Sequence, residues 1–392
     1  MATLYTAPFV WMGLANFCTI ASFACFYLFP LFVQHCGGSQ ADIGIIMGSF
    51  SLASVLCRPW ISEMIDRIGR KRCFTLGTLI MSLAPLVYLG ISGDLSDIYG
   101  LVLLVRVIHG VGLAICSTAV FTYVADIIPA HRLNEGLGIF GVSGLIGLAI
   151  GPVAAELVIQ QWGFTIFFLV ASLLGTIALV CHLHLEESFT TRQREPAPSF
   201  FRLLERGKLL LVASLAALFG ISMAATGSFV APFAREQQLH FIALYYIAYS
   251  AAAVLTRLGG ARLGDRVGER RILPYAVVLV AAGLLLMALL DGNLILVLAG
   301  LLSGCGHGFL YPSLNALAIR GEPMLIRGKV TGIFTGSIDA GVFTGSIFLG
   351  YVGDWWGFRA LFFTAGLAML LGLAISLWQT GRIGLRSEAS QS

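Results

Sequence analysis

Residues 58–72 read RPWISEMIDRIGRKR, and residues 257–271 read RLGGARLGDRVGERR. Both stretches begin with an arginine and contain Asp-Arg-x-Gly followed by basic residues, at one constant offset along the chain. Each stretch follows a long apolar run and precedes another, so each is interpreted as a short polar turn between two helices. The duplication indicates that the chain consists of two halves with the same pattern.

The composition around these turns indicates a protein whose solvent is lipid. Of 392 residues, 58% are hydrophobic and 11% are charged, and the mean hydropathy is +0.89. A soluble domain carries roughly 25% charged residues. The balance therefore excludes a disordered chain, a water-soluble globule and a basic nucleic-acid-binding domain.

The apolar runs predict transmembrane helices, because each is near the roughly 20 residues that cross the hydrocarbon core. Their length and uniform hydrophobicity favour helices over the strands of a membrane barrel. We predict twelve spans, near residues 8–33, 42–64, 73–91, 97–125, 136–157, 163–184, 208–233, 241–263, 272–291, 294–319, 329–351 and 358–379.

The basic residues predict the orientation of these spans. Alternate loops hold nearly all of the loop arginines and lysines, whereas the other set holds only Arg235 and Arg359. The basic set is expected to be cytoplasmic by the positive-inside rule, which places both termini inside the cell.

One polar stretch interrupts the apolar pattern, and it sets the predicted domain boundaries. The predicted units are an N-terminal six-helix bundle at 1–184, a cytoplasmic linker at 185–207, a C-terminal six-helix bundle at 208–380 and a cytoplasmic tail at 381–392.

A second repeat and three motifs carry a resemblance to a known family. The sequence QWGF at 161–164 returns as WWGF at 355–358. With the duplicated Asp-Arg-x-Gly turns, the chain resembles the major facilitator superfamily, specifically its twelve-span drug/proton-antiporter-like efflux branch. The resemblance covers essentially the whole chain and implies an all-α membrane fold of two pseudo-symmetric six-helix bundles around a central cavity.

The three family motifs are matched with substitutions. The loop motif GxLxDRxGRK corresponds to residues 62–71, with Ser62 in place of the first glycine. The motif RxxQGxG of span 4 corresponds to residues 106–112, with His109 in place of glutamine. The antiporter motif GxxxGPxxGG of span 5 corresponds to residues 147–156, with Ala155 and Glu156 in place of its last two glycines.

By this resemblance, the charges of the two turns form a gate on the cytoplasmic side. Arg70 is expected to pair with Asp126, and Arg270 or Arg271 with Glu322, while Gly69 and Gly268 permit tight turns. The alternative is that these charges only set the topology. The full set of gating candidates is Asp66, Arg67, Gly69, Arg70, Asp126, Asp265, Arg266, Gly268, Arg270 and Glu322.

Span 5 carries the glycine motif that the family associates with antiporters. Gly147 and Gly151 lie on one smooth helical face, and Pro152 weakens the helix locally. This face is expected to seal the outer side between spans 5 and 8 when the protein faces inward. Ordinary close packing of helices is the alternative explanation.

Four titratable or charged residues inside the spans are candidates for proton coupling. Asp339 is predicted about 15 Å into the membrane and Arg106 about 13 Å, at 1.5 Å per residue. Intramembrane charges are expensive and mark functional sites. Span 1 lacks the acid that the family commonly has there, so Asp339 is the expected substitute. His109 and His307 are its rivals, because histidine titrates near neutral pH.

The cavity helices of the family, spans 1, 4, 7 and 10, carry hydroxyls and aromatic rings suited to an amphipathic solute. The candidate substrate residues are Asn16, Tyr27, Tyr123, Ser222, Thr226, Phe229, Tyr311 and Asn315. The repeated Arg58 and Arg257 either extend to the cytoplasmic interface or line the inner vestibule, and the first alternative is preferred. The excess of basic over acidic groups hints at an anionic or zwitterionic substrate.

The resemblance implies a secondary active transporter, and the leading hypothesis is a proton-driven exporter. The alternatives are an importer by proton symport, a passive uniporter, and a transport-dead membrane sensor. The sequence has no nucleophile–base pair, nucleotide-binding loop or metal-ligand cluster, so no catalytic residue, metal or cofactor is expected beyond the proton gradient. The expected partners are a small-molecule substrate, protons and the bilayer, and no nucleic acid is expected to bind. The protein is expected to be a monomer in a bacterial inner membrane.

Overall fold

The computed structural model describes residues 4–129, 132–188, 203 and 206–389. Within these ranges, the side chains outside the description are those of 62, 134, 260–267, 269–270, 324–325, 328, 376 and 378–389. The described residues are helical apart from short turns and termini, and none of them forms a β-strand.

The helices follow one another with short connections. They are α1 Ala7–Cys25, α2 Phe29–His35, α3 Gln40–Ile68, α4 Arg70–Val87, α5 Leu95–Ile127, α6 Leu133–Leu183, α7 Gly207–Glu236, α8 Leu244–Val267, α9 Glu269–Met287, α10 Asn293–Ile319 and α11 Met324–Ala389. A 3₁₀ turn at Phe26–Leu28 joins α1 to α2, and another follows α4 at Tyr88–Gly90.

Local signals set where these helices begin and reverse. Ser39 and Asp42 form a reciprocal capping box at the start of α3. Gly69 between α3 and α4 has φ 111°, and Gly268 between α8 and α9 has φ 85°. These positive angles favour glycine, so the tight turns predicted for both copies of the repeat are present.

Within the described residues, eight helical segments are long and apolar enough to cross a membrane. Two of the helices, α6 and α11, contain one non-helical glycine each. Gly163 has φ 76° and ψ −169°, and Gly357 has φ 81° and ψ 173°. An unbroken α6 would be about 75 Å long at 1.5 Å per residue, far beyond the hydrocarbon thickness. The helical conformation is therefore interrupted close to the predicted boundaries between spans.

The contacts between helices repeat from one half to the other. In the first half α1 packs on α6, α4 on α5 and on α6, and α3 on α5. In the second half α7 packs on α11, α9 on α10 and on α11, and α8 on α10. The most extensive contacts between the halves are those of α3 with α11 and of α6 with α8.

Small residues allow the closest of these contacts. A Cβ atom on Gly147 or Gly151 of α6 would collide with the backbone of Phe17 or Ala21 in α1. Gly147 and Gly151 of the predicted glycine face thus pack against α1. Backbone contact at this distance is typical of helices that pack in lipid.

The two ends of the helices differ in charge. We call the end with the turns at Gly69 and Gly268 the basic end, and the other the opposite end. Trp162, Trp355 and Trp356, beside the breaks in α6 and α11, are exposed at the opposite end. Tryptophan is enriched where a bilayer meets water, so these side chains are typical of an interface.

The break in α6 yields a test of backbone strain. Replacing Gly163 by alanine should destabilise the protein by about 1–3 kcal/mol, because its φ and ψ are nearly restricted to glycine. No atom lies within 4 Å of the added Cβ, so crowding adds nothing. The measurement is the apparent melting temperature of the full chain in detergent.

Gly138, in the same helix and equally uncrowded, is the matched control. Gly138→Ala should leave the melting temperature unchanged or raise it, because alanine favours a helix. Equal losses at both positions would contradict the interpretation.

Candidate functional site: a central cavity and the charged contacts around it

A cavity of about 220 Å³ lies between the two halves. Aromatic side chains, many of them tyrosines, form much of its wall, and α1, α5 and α6 face α7, α8 and α10 across it. Its lining residues are Asn16, Ile20, Phe23, Tyr27, Phe121, Gly141, Gly144, Leu145, Leu148, Met223, Thr226, Tyr245, Tyr246, Tyr249, Arg257 and Tyr311.

Arg257 places a positive charge at this cavity. Its guanidinium carbon lies 5.5 Å from the centre of the Tyr311 ring, within range of a cation–π interaction. Its Nε is buried, and it has no hydrogen-bond partner among the described residues. None of the lining residues is acidic. Arg257 therefore lines the cavity, and the preferred prediction that it reaches the interface is corrected.

A chain of contacts fixes the tyrosines around Arg257. The Tyr311 ring stacks on His307 with centroids 5.9 Å apart, and the Tyr249 hydroxyl shares a hydrogen bond with His307 Nδ1. The Tyr246 hydroxyl donates to the carbonyl of Thr226 at 3.1 Å. His307, a predicted coupling residue, thus supports the cavity wall through two tyrosines.

The predicted substrate residues divide into two groups. Asn16, Tyr27, Thr226 and Tyr311 line the cavity. The other four, Tyr123, Ser222, Phe229 and Asn315, are not among its lining residues.

Those four side chains have other surroundings. Tyr123 donates its hydroxyl proton to the carbonyl of Glu186 near the basic end, at 3.0 Å. Ser222 donates to the carbonyl of Phe219 in its own helix, and Phe229 is fully buried in the core. The Oδ1 atom of Asn315 is buried, and it has no hydrogen-bond partner among the described residues.

Asp339 forms an ion pair with Arg58 across the contact between α3 and α11. Ser54 donates to the same carboxylate at 2.8 Å, and Arg58 Nη1 donates to Thr335 at 2.8 Å. Arg58 therefore does not extend to the interface. Asp339 thus neutralises Arg58, and it forms no ion pair with Arg106.

Arg106 lies in an aromatic cage. Its guanidinium carbon is 5.3 Å from the ring centres of Phe26 and Phe29 and 4.6 Å from that of Phe50. Nη2 donates to the sulfur of Met47 at 3.5 Å, whereas Nε and Nη1 have no partner among the described residues.

His109 lies one helical turn further along α5. Its ring meets Phe26 and Phe50 edge to face, and neither nitrogen has a hydrogen bond to a described residue. The imidazole is fully buried. Arg106 and His109 thus lie among aromatic rings, apart from the pair of Arg58 and Asp339.

At the basic end, the predicted ion pair of Arg70 and Asp126 is present, with Nε 3.1 Å from Oδ2. Asp66 lies 3.8 Å from Arg70, and Arg67 pairs with Glu63 on the surface. These contacts join the end of α3, the start of α4 and the end of α5.

Glu187 completes this network, although the sequence motif did not include it. Its carboxylate accepts hydrogen bonds from the backbone N–H groups of Arg70, Lys71 and Arg72, at 2.8, 3.1 and 3.2 Å. A carboxylate at a helix N-terminus satisfies free N–H groups and the helix dipole. A Cβ on Gly69 would collide with it.

The second copy of the turn differs in its partners. Glu322 pairs with Arg206 at 2.8 Å and with Lys208 at 3.4 Å. Arg271, one of the two arginines predicted for Glu322, is exposed and forms no ion pair with it. Asp265, Arg266 and Arg270 lie outside the described side chains.

At the opposite end, Glu156 joins the two halves. Its carboxylate accepts hydrogen bonds from the backbone N–H groups of Ile242 and Ala243, each at 2.6 Å, in the turn that leads into α8. Gln160 donates to the carbonyl of His240 at 2.7 Å. Glu156 is only 2% exposed, so the link between α6 and α8 is largely shielded from water.

Asp354 makes the corresponding contact from the second half. Its two carboxylate oxygens accept hydrogen bonds from the backbone N–H groups of Gln40 and Ala41 at 2.8 and 3.1 Å. These residues begin α3, just as Ile242 and Ala243 lead into α8. Each half thus holds a helix N-terminus of the other through a carboxylate.

The sequence contained a signal for one of these contacts. Glu156 occupies the last position of the span 5 motif, where the family pattern has glycine. That departure indicates that the position has a different function here. It does not identify the residues that Glu156 contacts. Glu156 and Gln160 bond the turn before α8, while Gly147 and Gly151 pack on α1.

Comparison with known proteins places this architecture in a family. The sequence profile of the Major Facilitator Superfamily matches residues 12–320 and 212–388. The multidrug resistance protein MdtG of Serratia proteamaculans is 28% identical over 390 residues, covering 94% of this chain and 92% of that protein. The staphylopine export protein of Staphylococcus aureus is 22% identical over 362 residues, covering 88% and 89%. Among solved structures, the nucleoside transporter NupG superimposes with a TM-score of 0.79 at 15% identity, covering 94% of this chain and 99% of that chain.

The two contacts at the opposite end can be tested by amide hydrogen exchange. Glu156→Ala should raise the exchange rate of Ile242 and Ala243 by about 10- to 100-fold, because hydrogen bonds to a charged group are the stronger kind. Asp354→Ala should do the same for Gln40 and Ala41. Peptide-resolved exchange of the full chain in detergent is the measurement.

Each variant is the control for the other. The increase should appear first in the segment that the removed carboxylate contacts. Unchanged exchange of both segments in both variants would contradict the assignment.

Proposed function

Because the chain belongs to the major facilitator superfamily of membrane transporters, we propose that it is a proton-coupled exporter of a small amphipathic organic solute. It moves the solute by alternating access, in which the two halves rock about a central site. The names of the relatives, multidrug resistance and staphylopine export, favour the outward direction.

One observation carries this proposal: the cavity lies between the halves, and the carboxylates of Glu156 and Asp354 join the halves at one of its ends. A solute can leave through that end only when both contacts break. Alternating access requires an element with two stable states, and these contacts provide it. The end is closed when the contacts are formed, and it opens when they break.

The membrane arrangement belongs to the same proposal. Twelve spans result when α1 and α2 together count as one span and α6 and α11 each count as two, and they form two six-helix bundles. The basic end is cytoplasmic and so are both termini, by the positive-inside rule. We place the protein in the bacterial inner membrane as a monomer, whose partners are its solute and protons.

We assign gating to the network of the basic end. Arg70, Asp126 and Glu187 tie α4 to α5 and to the segment after α6, which makes this corner a rigid unit. Asp66 contributes a carboxylate at its edge. When the cytoplasmic side closes, this corner moves as one body against the second half.

We assign proton coupling to Asp339. Its carboxylate joins the halves through Arg58 and Ser54, and it is only partly exposed. Protonation removes its charge and so weakens the ion pair that spans α3 and α11. A proton and a conformational change are thereby linked at one residue.

The export function is tested with cells that express the protein, its Asp66→Asn variant, or neither, with and without an uncoupler. We expect a compound to accumulate outside only with the active protein, and an uncoupler to stop it. Asp66→Asn should lower the initial rate severalfold at equal protein level. The readout is the metabolite content inside and outside the cells.

Glu63→Gln is the control, because Glu63 is an acid of the same helix end that pairs with Arg67 on the surface. It should export normally. Accumulation inside the cells would overturn export and favour proton symport. Export that survives the uncoupler would favour a uniporter, and no transported compound at all would favour a sensor.

The coupling assignment has its own test in proteoliposomes that contain the exported compound. Asp339→Asn should abolish accumulation against a gradient, because the carboxylate no longer takes up a proton. Exchange of labelled for unlabelled compound should continue. Asp339→Glu should retain part of the coupled rate, and coupled accumulation by Asp339→Asn would refute the assignment.

A further inference from the structure

The two repeated arginines, Arg58 and Arg257, differ in their partners. Arg58 is neutralised by Asp339 and bonds Thr335. Arg257 contacts the Tyr311 ring, and it has neither an acidic partner nor a hydrogen bond among the described residues. Equivalent positions of one repeat thus hold one paired and one unpaired cation.

The sequence explains the difference. GIF at 138–140 aligns with GIF at 332–334, and WGF at 162–164 aligns with WGF at 356–358 at the same offset. In this register Gly141 corresponds to Thr335, and Leu145 corresponds to Asp339. The first half therefore carries glycine and leucine where the second half carries the two acceptors for Arg58.

The geometry agrees with this register. Arg58 Nη1 donates to Thr335, and Arg257 Nη1 lies 3.2 Å from the point where a Cβ of Gly141 would stand. Leu145 lines the same cavity as Arg257. The two arginines thus reach across to equivalent sites on the opposite half.

A guanidinium beside an apolar, tyrosine-lined cavity, with no acidic partner, needs a counter-charge. Arginine stays protonated, so it cannot relieve the cost of burial by losing its proton. Arg257 Nε is buried, and the lining residues supply no carboxylate. A ligand of the cavity is the remaining source of negative charge.

We propose that Arg257 binds the carboxylate of an amphipathic organic anion, which takes the place that Asp339 has beside Arg58. The inference rests on the proposed export function and names its substrate class. The guanidinium binds the two carboxylate oxygens, a geometry that arginine favours. Tyr27, Tyr246 and Tyr311 contact the apolar body of the solute.

The rest of the cavity supports an anion over a cation. A cationic solute would meet Arg257 with no acid among the lining residues to offset the repulsion. Like charges at close range in a low dielectric are strongly unfavourable. The hydrogen bond of Tyr249 with His307 and the stacking of Tyr311 hold the wall in place before the ligand arrives.

Binding is measured on the purified full chain in detergent, without a proton gradient. The probes are three aromatic carboxylates, benzoate, salicylate and 1-naphthoate, each paired with its neutral amide. A ligand that binds the folded state raises the melting temperature in proportion to its affinity and concentration. We expect stabilisation by at least one carboxylate, and less by its amide.

The arginine is tested by Arg257→Gln and Arg257→Lys. Arg257→Gln should weaken carboxylate binding by about 10- to 100-fold, the size of a charge-assisted hydrogen bond, and leave amide binding unchanged. Arg257→Lys should recover part of it, because the charge remains. Arg359→Gln, an exposed arginine outside the cavity, removes the same charge and should bind as the unmodified chain does.

Leu145 permits a second test that adds the missing acid. Leu145→Asp should pair with Arg257 and abolish carboxylate binding, whereas Leu145→Asn, which loses the same packing without adding a charge, should weaken carboxylate binding less. In the Arg257→Gln background, Leu145→Asp and Leu145→Asn should bind the carboxylate with equal affinity, because no guanidinium remains for the new acid to pair with. These comparisons separate a loss of binding from a loss of folding.

The outcomes are distinct from those of the export experiment. Absence of stabilisation by all three carboxylates, equal stabilisation by their amides, or binding unaffected by Arg257→Gln would each overturn the anion site. Export of a neutral or cationic compound would also overturn it and leave the proposed export function in place. Carboxylate binding without export would contradict the proposed function and not the site.

Discussion

A positive charge inside a bilayer needs a negative partner or a polarisable surface, and three arginines of this protein meet that constraint differently. Arg58 is paired with Asp339, and the pair joins the halves across α3 and α11. Arg106 lies among the rings of Phe26, Phe29 and Phe50, whose π faces attract a cation. Arg257 has one ring and an open cavity. Arg58 already has a counter-charge, and we assign proton coupling to its partner Asp339. Arg257 has no counter-charge, and we assign it the binding of an anionic solute.

The ends of the molecule depend on a related interaction, in which a carboxylate accepts hydrogen bonds from backbone N–H groups at a helix start. Glu187 does so within the first half, and Glu156 and Asp354 do so between the halves. Because the donors are backbone N–H groups, the contact does not depend on the identity of a second side chain. These contacts fix the position of a whole helix end, and they can break and re-form without a change in the fold. In the proposed gating, these are the contacts that break when one end opens.

The sequence predicted much of the fold, because hydrophobic runs, glycine turns and duplicated motifs are local properties. It predicted the reversals at Gly69 and Gly268, and the pair of Arg70 and Asp126 from the family pattern. It did not predict the partners of Glu156, because a backbone N–H of a distant helix leaves no trace in side-chain identity. The orientation of Arg257 was also missed, because a long side chain at a given depth reaches either the interface or the cavity, and tertiary packing decides between them.

The central claim is that the two halves move against each other as rigid bodies, so that one end opens as the other closes. Spin labels in a cysteine-free background measure this directly as distances across the halves. The labelled positions are Ser92 and Gln238 at the opposite end and Arg72 and Pro323 at the basic end. When both inter-half carboxylates of the opposite end are replaced by alanine, the distance there should lengthen and the distance at the basic end should shorten. An opposite end that opens while the basic end keeps its distance would contradict the account.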